Sequence, residues 1–136
     1  MKKIMNELFI EAALENMDIV MDFVNKHIEE YPSKIKNQIG IAVDEIFSNI
    51  ASYAYNPETG VAAVRIEVGE NITIEFEDSG APYNPLTAPV PDISLPAQER
   101  EIGGLGIFMV KNIMDSVEYR REGNKNILTI KKIRGK

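Results

Sequence analysis

The chain has 136 residues, of which 44% are hydrophobic and 26% are charged, as is usual for one globular domain with its own core. The absence of cysteine excludes disulfides, thiolate nucleophiles and cysteine-ligated metal sites. The formal net charge of -6 disfavours binding to a nucleic-acid backbone. We therefore expect a single domain over residues 1–136 without a direct nucleic-acid partner.

The first residues suggest no export or membrane anchoring. Lys2 and Lys3 are typical of a signal peptide, but Glu7 and Glu11 interrupt the apolar stretch that would have to follow. No apolar run is long enough to span a bilayer. We expect a cytoplasmic protein with no membrane partner. The single histidine, His27, excludes a three-histidine metal site and is expected at a solvated helix end.

The first half of the chain predicts one strand and two helices. Alternation of Leu8, Ile10 and Ala12 is typical of a strand, whereas the apolar residues of 13–30 recur at helical spacing. Ser33 is the expected N-cap of a second helix over about 34–55. The apolar stripe of that helix consists of Ile35, Ile39, Val43, Ile46, Phe47, Ile50 and Ala54.

The second half predicts two hairpins separated by a loop and a helix. The strands are expected at 61–68, 72–77, 117–121 and 127–133. The segment 81–96 contains five prolines and reads as a loop, and a third helix is expected to open after Gly106. Strands grouped in hairpins favour an α+β fold: a two-layer α/β sandwich with a mixed, mostly antiparallel sheet and helices on one face.

A first polar cluster lies on the second helix. Glu45 and Asn49 are four residues apart and share one face, which Ser48 borders, while Asp44 is expected to point to solvent. An Asn carbonyl oxygen can ligate Mg²⁺ beside phosphate oxygens, and a Glu one turn earlier can accept a proton from an attacking hydroxyl. The alternative is a solvated polar stripe opposite the core, which this cluster taken alone favours.

A second cluster, Asp78-Ser79-Gly80, follows the third predicted strand. An Asp at a strand end can accept a hydrogen bond from an adenine amino group in a mostly apolar pocket. A glycine there lets the backbone approach the base closely. The alternative is an ordinary turn, because Asp, Ser and Gly are common turn residues.

A third cluster, Gly103-Gly104-Leu105-Gly106, precedes the third predicted helix. Backbone N–H groups at a helix start form an anion site, and the alternative is a flexible hinge. Neither a P-loop motif nor a complete dinucleotide fingerprint occurs. Arg100 is a candidate phosphate ligand, or else it pairs with Glu99 or Glu101 on the surface.

The three clusters occur in the order and spacing of a known ATP site. Segments 42–49, 76–85 and 99–108 resemble the N-box, the second box and the glycine box of the Bergerat-type site shared by gyrases, sensor histidine kinases and certain chaperones. The likeness is strongest to the anti-sigma factor serine/threonine kinases and runs nearly end to end. Sensor histidine kinases add a phosphoacceptor domain, for which we expect no room in this chain.

The resemblance implies a role for each matched residue. Glu45 would be the catalytic base. Asn49 would hold Mg²⁺, and Asp78 would hold adenine. The segment 81–102 would be a lid over the nucleotide. The remaining residues implied to contact ATP are Ser48, Gly80, Arg100, Gly103, Gly104, Leu105 and Gly106. Some relatives have threonine at the Ser48 position, so a hydroxyl is kept.

The resemblance also implies an activity and partners. Such proteins sequester a sigma factor, usually as dimers, and use ATP and Mg²⁺ to phosphorylate a serine of a STAS-type anti-sigma factor antagonist. The alternatives are a nucleotide-gated binding switch without significant kinase activity, an ATPase with water as acceptor, and a structural domain with chance motifs.

Overall fold

In the part of the chain that the structure describes, the sheet contains five strands in the order β1-β2-β3-β5-β4, and every neighbouring pair is antiparallel. The computed structural model describes residues 5–55, 58–87 and 104–133. The strands are β1 (Asn6–Glu11), β2 (Val61–Val68), β3 (Asn71–Asp78), β4 (Ser116–Glu122) and β5 (Lys125–Ile133). The helices are α1 (Met17–Asn25), α2 (Ser33–Asn49) and α3 (Gly104–Ile113).

Three short helical turns complete the described part of the chain. A 3₁₀ turn, Leu14–Asn16, leads into α1, and another covers Pro85–Thr87. A π-helical turn, Ile50–Ala54, continues α2 without a break. None of the helices in the described residues combines the length and the apolar character needed to cross a bilayer.

One face of the sheet forms a core with the helices. Because side chains alternate along a strand, Ile72, Ile74, Phe76 and Asp78 of β3 share a face, and all are buried. Asp78 is thus the last residue of an otherwise apolar row. The apolar stripe of α2 packs against this face as the spacing predicts: Ile35, Ile39, Val43, Ile46, Phe47 and Ile50 are buried. This two-layer arrangement confirms the predicted α+β fold.

The opposite face of the sheet carries charged side chains in place of a helical layer. Arg65 on β2 pairs with Glu7 on β1 and, at 3.0 Å, with Glu77 on β3. Lys125 on β5 lies 3.3 Å from the same Glu77 carboxylate. These charged side chains therefore form a row across four neighbouring strands, β1, β2, β3 and β5. Opposite charges on neighbouring strands favour the observed strand register.

Several predicted details are wrong at element ends. Ser33 is not an N-cap, because α2 already begins at Ser33 and Pro32 takes the cap position without a side-chain hydrogen bond. The third helix begins at Gly104 instead of after Gly106. The last hairpin turn is much shorter than the predicted 122–126, because the strands run on to Glu122 and from Lys125. Gly123 has a φ of 58°, which glycine adopts at the first position of a two-residue type II′ turn.

His27 lies at the end of α1, as predicted, but its ring is only partly exposed to solvent. Its ring meets the Phe23 ring edge-on at 5.3 Å, and its Nε2 atom is buried without a hydrogen-bond partner in the described part of the chain. Burial lowers the pKa of His27 below its ordinary value of 6.5, and the Lys26 charge acts in the same direction.

We predict that His27 makes the fold less stable as the pH falls. The unfolded chain binds a proton at His27 near pH 6.5, while the folded chain resists it, so protonation favours unfolding below that pH. Urea midpoints of the parent and of His27→Gln, measured at about pH 7.5 and about pH 5.5, should show the larger loss for the parent. Equal losses would contradict this assignment.

Candidate functional site

A cavity of about 580 Å³ opens where α2 and α3 cross the end of the sheet. We call it the sheet-end cavity. Its walls are mostly apolar and include Phe76, Leu128, Ile46, Ile50 and Ile107. Its polar side chains are Asn49, Tyr53, Asp78, Tyr83, Tyr119 and Asn126. An apolar cavity with a few converging polar groups is the usual form of a small-molecule site.

Asp78 lies at the base of the sheet-end cavity with only 7% of its surface exposed. Its Oδ1 atom accepts hydrogen bonds from the Gly80 N–H and from Asn126 Nδ2, each at 2.9 Å. No hydrogen bond from the described residues reaches Oδ2. One carboxylate oxygen is thus held by the protein, and the other remains able to accept a donor from a ligand.

Asn126 is a residue of the site that the sequence analysis missed. The predicted turn included it, but the shorter turn places it in β5, directly opposite Asp78. Asn126, Leu128 and Ile130 alternate along β5 and face the helices. Extending this apolar alternation back by two residues from Leu128 would have placed Asn126 on the core side.

Glu45 and Asn49 meet on α2 as their spacing predicts. Asn49 Nδ2 donates to Glu45 Oε2 at 2.8 Å, which directs the amide N–H towards the carboxylate. The side-chain carbonyl oxygen of Asn49 accepts no hydrogen bond from the described residues and remains able to act as a ligand. Burial raises the pKa of Glu45, the Asn49 hydrogen bond opposes this rise, and the exposed Asp44 adds to it.

The Glu45 carboxylate lies against the first turn of α3. A Cβ atom added to Gly106 would overlap the Glu45 carboxyl group, so only a glycine permits this approach. Gly106 and the adjacent residues of this turn carry backbone N–H groups that have no acceptor within the helix. The first and third sequence clusters therefore meet, and the next residue, Ile107, lines the sheet-end cavity.

The second cluster, Asp78-Ser79-Gly80, contacts the π-helical turn that continues α2 and the residue after it. A Cβ atom on Gly80 would lie 2.8 Å from the Ala54 carbonyl carbon, and Ala54 itself lines the sheet-end cavity. Tyr55 OH accepts from the Ser79 N–H at 2.7 Å, while Arg121 Nη1 donates to the Gly80 carbonyl at 2.9 Å. These contacts fix the turn that follows Asp78.

One predicted residue lies outside the cavity lining, and several others lie outside the described residues. Ser48 is outside its lining, and its hydroxyl donates to Asp44 Oδ1 at 3.3 Å on the exposed side of α2. A phosphate contact would require that hydroxyl to turn. Arg100, Gly103 and most of the predicted lid lie outside the described residues. Gly104 and Leu105 are described only as backbone of the first turn of α3.

The described residues contain no group of three or more His, Asp or Glu side chains placed to hold a metal ion. The oxygen ligands that the site does offer are the Asn49 carbonyl and, beside it, the Glu45 carboxylate. Mg²⁺ prefers such oxygen ligands and usually completes its coordination with phosphate and water oxygens. The residues present therefore fit a magnesium ion that arrives with a nucleotide.

The sequence pattern of the family described as Histidine kinase-like ATPase domain matches residues 10–132. The chain belongs to this family. The match includes every described element that lines the sheet-end cavity, from α2 to β5.

Three relatives of this chain carry the names of protein kinases. The chain is 24% identical to the serine/threonine-protein kinase BtrW of Bordetella bronchiseptica over 105 residues, covering 75% of this chain and 73% of that protein. It is 30% identical to the serine-protein kinase RsbW of Bacillus cereus over 98 residues, 68% of this chain and 61% of RsbW. RsbW of Bacillus thuringiensis matches with the same identity and coverage. The matched region thus spans less than two thirds of RsbW.

Substitution by alanine should affect stability differently at the two close-packed glycines. Gly80→Ala forces a methyl group against the Ala54 backbone, which should lower the free energy of unfolding by about 1–3 kcal/mol. Gly106→Ala meets only the end of the flexible Glu45 side chain and adds a better helix former, so stability should stay within about 1 kcal/mol of the parent.

Urea denaturation of both variants measures this difference. Gly40, where an added Cβ meets nothing within 4 Å, provides the matched control for alanine in a helix. Equal destabilisation by Gly80→Ala and Gly106→Ala would contradict the packing described for Gly106 and Glu45.

Proposed function

We propose that this chain binds ATP with Mg²⁺ and transfers the γ-phosphoryl group to a serine of a partner protein. The observation that carries this proposal is the convergence of Asn49, Asp78 and the Glu45–Gly106 contact around one cavity. Membership of the histidine kinase-like ATPase family and the kinase names of the relatives support the same reaction.

The cavity separates base recognition from phosphate recognition. Asp78 Oδ2 is the acceptor for the adenine amino group, and the apolar walls beside it exclude water from the base. The N–H groups of the first turn of α3 hold phosphate oxygens at the positive end of the helix dipole. Ile107 lines the cavity and Gly106 contacts Glu45, so α3 links the two ends.

Glu45 is the base for the acceptor serine. Its carboxylate lies beside the start of α3, where the phosphate chain ends in this proposal, and burial raises its pKa towards neutrality, which favours proton acceptance. Asn49 holds Mg²⁺ through its carbonyl oxygen while its N–H group orients Glu45. The ion supplies charge neutralisation for the transferred phosphoryl group.

We further propose that the acceptor is a STAS-type antagonist of an anti-sigma factor and that this chain is the anti-sigma factor itself, as the resemblance of the three boxes implies. In this proposal the chain sequesters a sigma factor, usually as a dimer. Phosphorylation of the antagonist releases it and leaves the kinase free to bind sigma.

Glu45→Gln should abolish most phosphoryl transfer while ATP binding persists. Removal of a general base typically costs about a hundredfold or more in rate. The measurement combines the purified protein, ATP–Mg²⁺ and the STAS proteins of the source organism, with phosphoserine followed by mass spectrometry. Asp44→Asn, an exposed carboxylate at the adjacent position, is the control and should change the rate only a few-fold.

The possible results of this experiment distinguish the functions that the sequence analysis left open. Serine phosphorylation that requires Glu45 supports the kinase. ATP binding without transfer by the parent protein would instead identify a nucleotide-gated switch, and phosphate release to water without a partner would identify an ATPase. Transfer that is unchanged in Glu45→Gln would remove Glu45 from the mechanism.

Asp78→Asn should reverse the purine preference. Gly80 N–H and Asn126 Nδ2 both donate to Oδ1, so the new amide must place its carbonyl there and its NH₂ group in the cavity. That NH₂ group repels the adenine amino group but donates to the 6-oxo group of inosine. Calorimetry should show ATP binding about tenfold weaker or worse, with the affinity for ITP rising relative to ATP. Retained preference for ATP would contradict the adenine role of Asp78.

A further inference from the structure

Asn126 uses the whole hydrogen-bonding capacity of a buried amide. Nδ2 donates to Asp78 Oδ1 and to the Ala81 carbonyl, each at 2.9 Å. Oδ1 accepts from Tyr119 OH at 2.6 Å and from the Tyr83 N–H at 3.3 Å. The side chain therefore joins β3, β4, β5 and the segment after β3 at one point with 7% of its surface exposed.

These partners fix the orientation of the amide. Rotating it by half a turn would place Oδ1 against the Asp78 carboxylate and the Ala81 carbonyl oxygen, so that acceptors would face acceptors. It would also aim an N–H group at the Tyr83 N–H. Buried polar groups without partners destabilise the fold, so one orientation dominates. Asn126 thus presents a fixed donor to Asp78.

We propose that Asn126 is the positioning residue for base selection in the sheet-end cavity. This proposal rests on the ATP-binding function proposed above and names the residue that makes Asp78 selective. Asn126 holds Asp78 Oδ1 and so leaves Oδ2 as the one acceptor for a ligand. The same amide holds Ala81 and Tyr83, and Tyr83 lines the cavity. Asp78 and the adjoining wall of the cavity are therefore set together by one side chain.

Removal of the amide should weaken discrimination between purines more than it weakens nucleotide binding in general. In Asn126→Ala, Asp78 retains only the Gly80 N–H and can turn its carboxylate, so ATP binding should fall about three- to tenfold. ITP gains nothing from the Asp78 acceptor in the parent and should lose little. The ratio of the ITP and ATP dissociation constants should therefore shrink towards one.

Calorimetric titrations of ATP and ITP are compared for the parent, Asn126→Ala, Asp78→Ala and the double variant. The double variant should discriminate no better and no worse than Asp78→Ala, because Asn126 acts through Asp78. With the partner protein present, Asn126→Ala should raise KM for ATP and leave kcat nearly unchanged. Asn124→Ala, in the exposed turn of the same hairpin, is the matched control and should behave like the parent.

A purely structural role would lower stability and affect both nucleotides equally. A folded Asn126→Ala protein with the parent's discrimination ratio therefore overturns the proposal. If Asn126→Ala does not fold, Tyr119→Phe removes only the bond to Asn126 Oδ1 and should reduce discrimination in the same direction. An unchanged ratio there also overturns the proposal.

The failure of this proposal is distinguishable from failure of the ATP-binding function. If the parent prefers ATP and Asp78→Ala abolishes the preference, the function stands and the Asn126 variants alone decide the positioning role. If the parent binds no ATP, both proposals are overturned, whereas equal binding of ATP and ITP overturns the base selection by Asp78 and Asn126 and leaves ATP binding standing.

Discussion

The site depends on one constraint: a carboxylate buried on the core side of a sheet must be hydrogen-bonded. Asp78 ends the row of apolar side chains on β3, where only 7% of its surface is exposed. The β3–β5 register supplies the donor by placing Asn126 opposite Asp78. A register slip of one residue would place Ile127 opposite Asp78 and would move the core-facing side chains of β5 to the other face of the sheet. The short turn at Gly123 contributes by letting β5 start at Lys125, so that Asn126 lies within the strand that pairs with β3.

The site also requires the backbone to approach neighbouring groups closely, and a glycine permits this approach at two positions. At Gly80 the turn after β3 reaches the Ala54 backbone, which closes the cavity between the sheet and the π-helical end of α2. At Gly106 the first turn of α3 reaches the Glu45 carboxylate. A side chain at Gly80 would force this turn away from the Ala54 backbone, whereas a side chain at Gly106 would displace the Glu45 carboxylate from the start of α3. The glycines therefore act through packing, in addition to any flexibility they give the chain.

The sequence predicted the elements and those site residues that local spacing determines. The spacing of four between Glu45 and Asn49 predicts their contact on a helix, and the apolar alternation before Asp78 places it at a strand end. The role of Asn126 depends instead on the register between β3 and β5. Local spacing does not give that register, and the run Glu122 to Asn126 is compatible with more than one turn, so it does not fix where β5 starts either. Local spacing also placed Ser48 near the cavity, where its hydroxyl pairs with Asp44 instead.

The two ends of the site differ in polarity because different elements build them. Phe76 and Leu128 come from the interior of the sheet, so apolar walls adjoin Asp78 and one acceptor there can select a base. Glu45 and Asn49 come from the edge of the apolar stripe of α2, where a helix start adds N–H groups and a positive dipole. A base and a phosphate chain make opposite demands on their surroundings, and α3 takes part in both because Ile107 lines the apolar cavity while Gly106 contacts the Glu45 carboxylate.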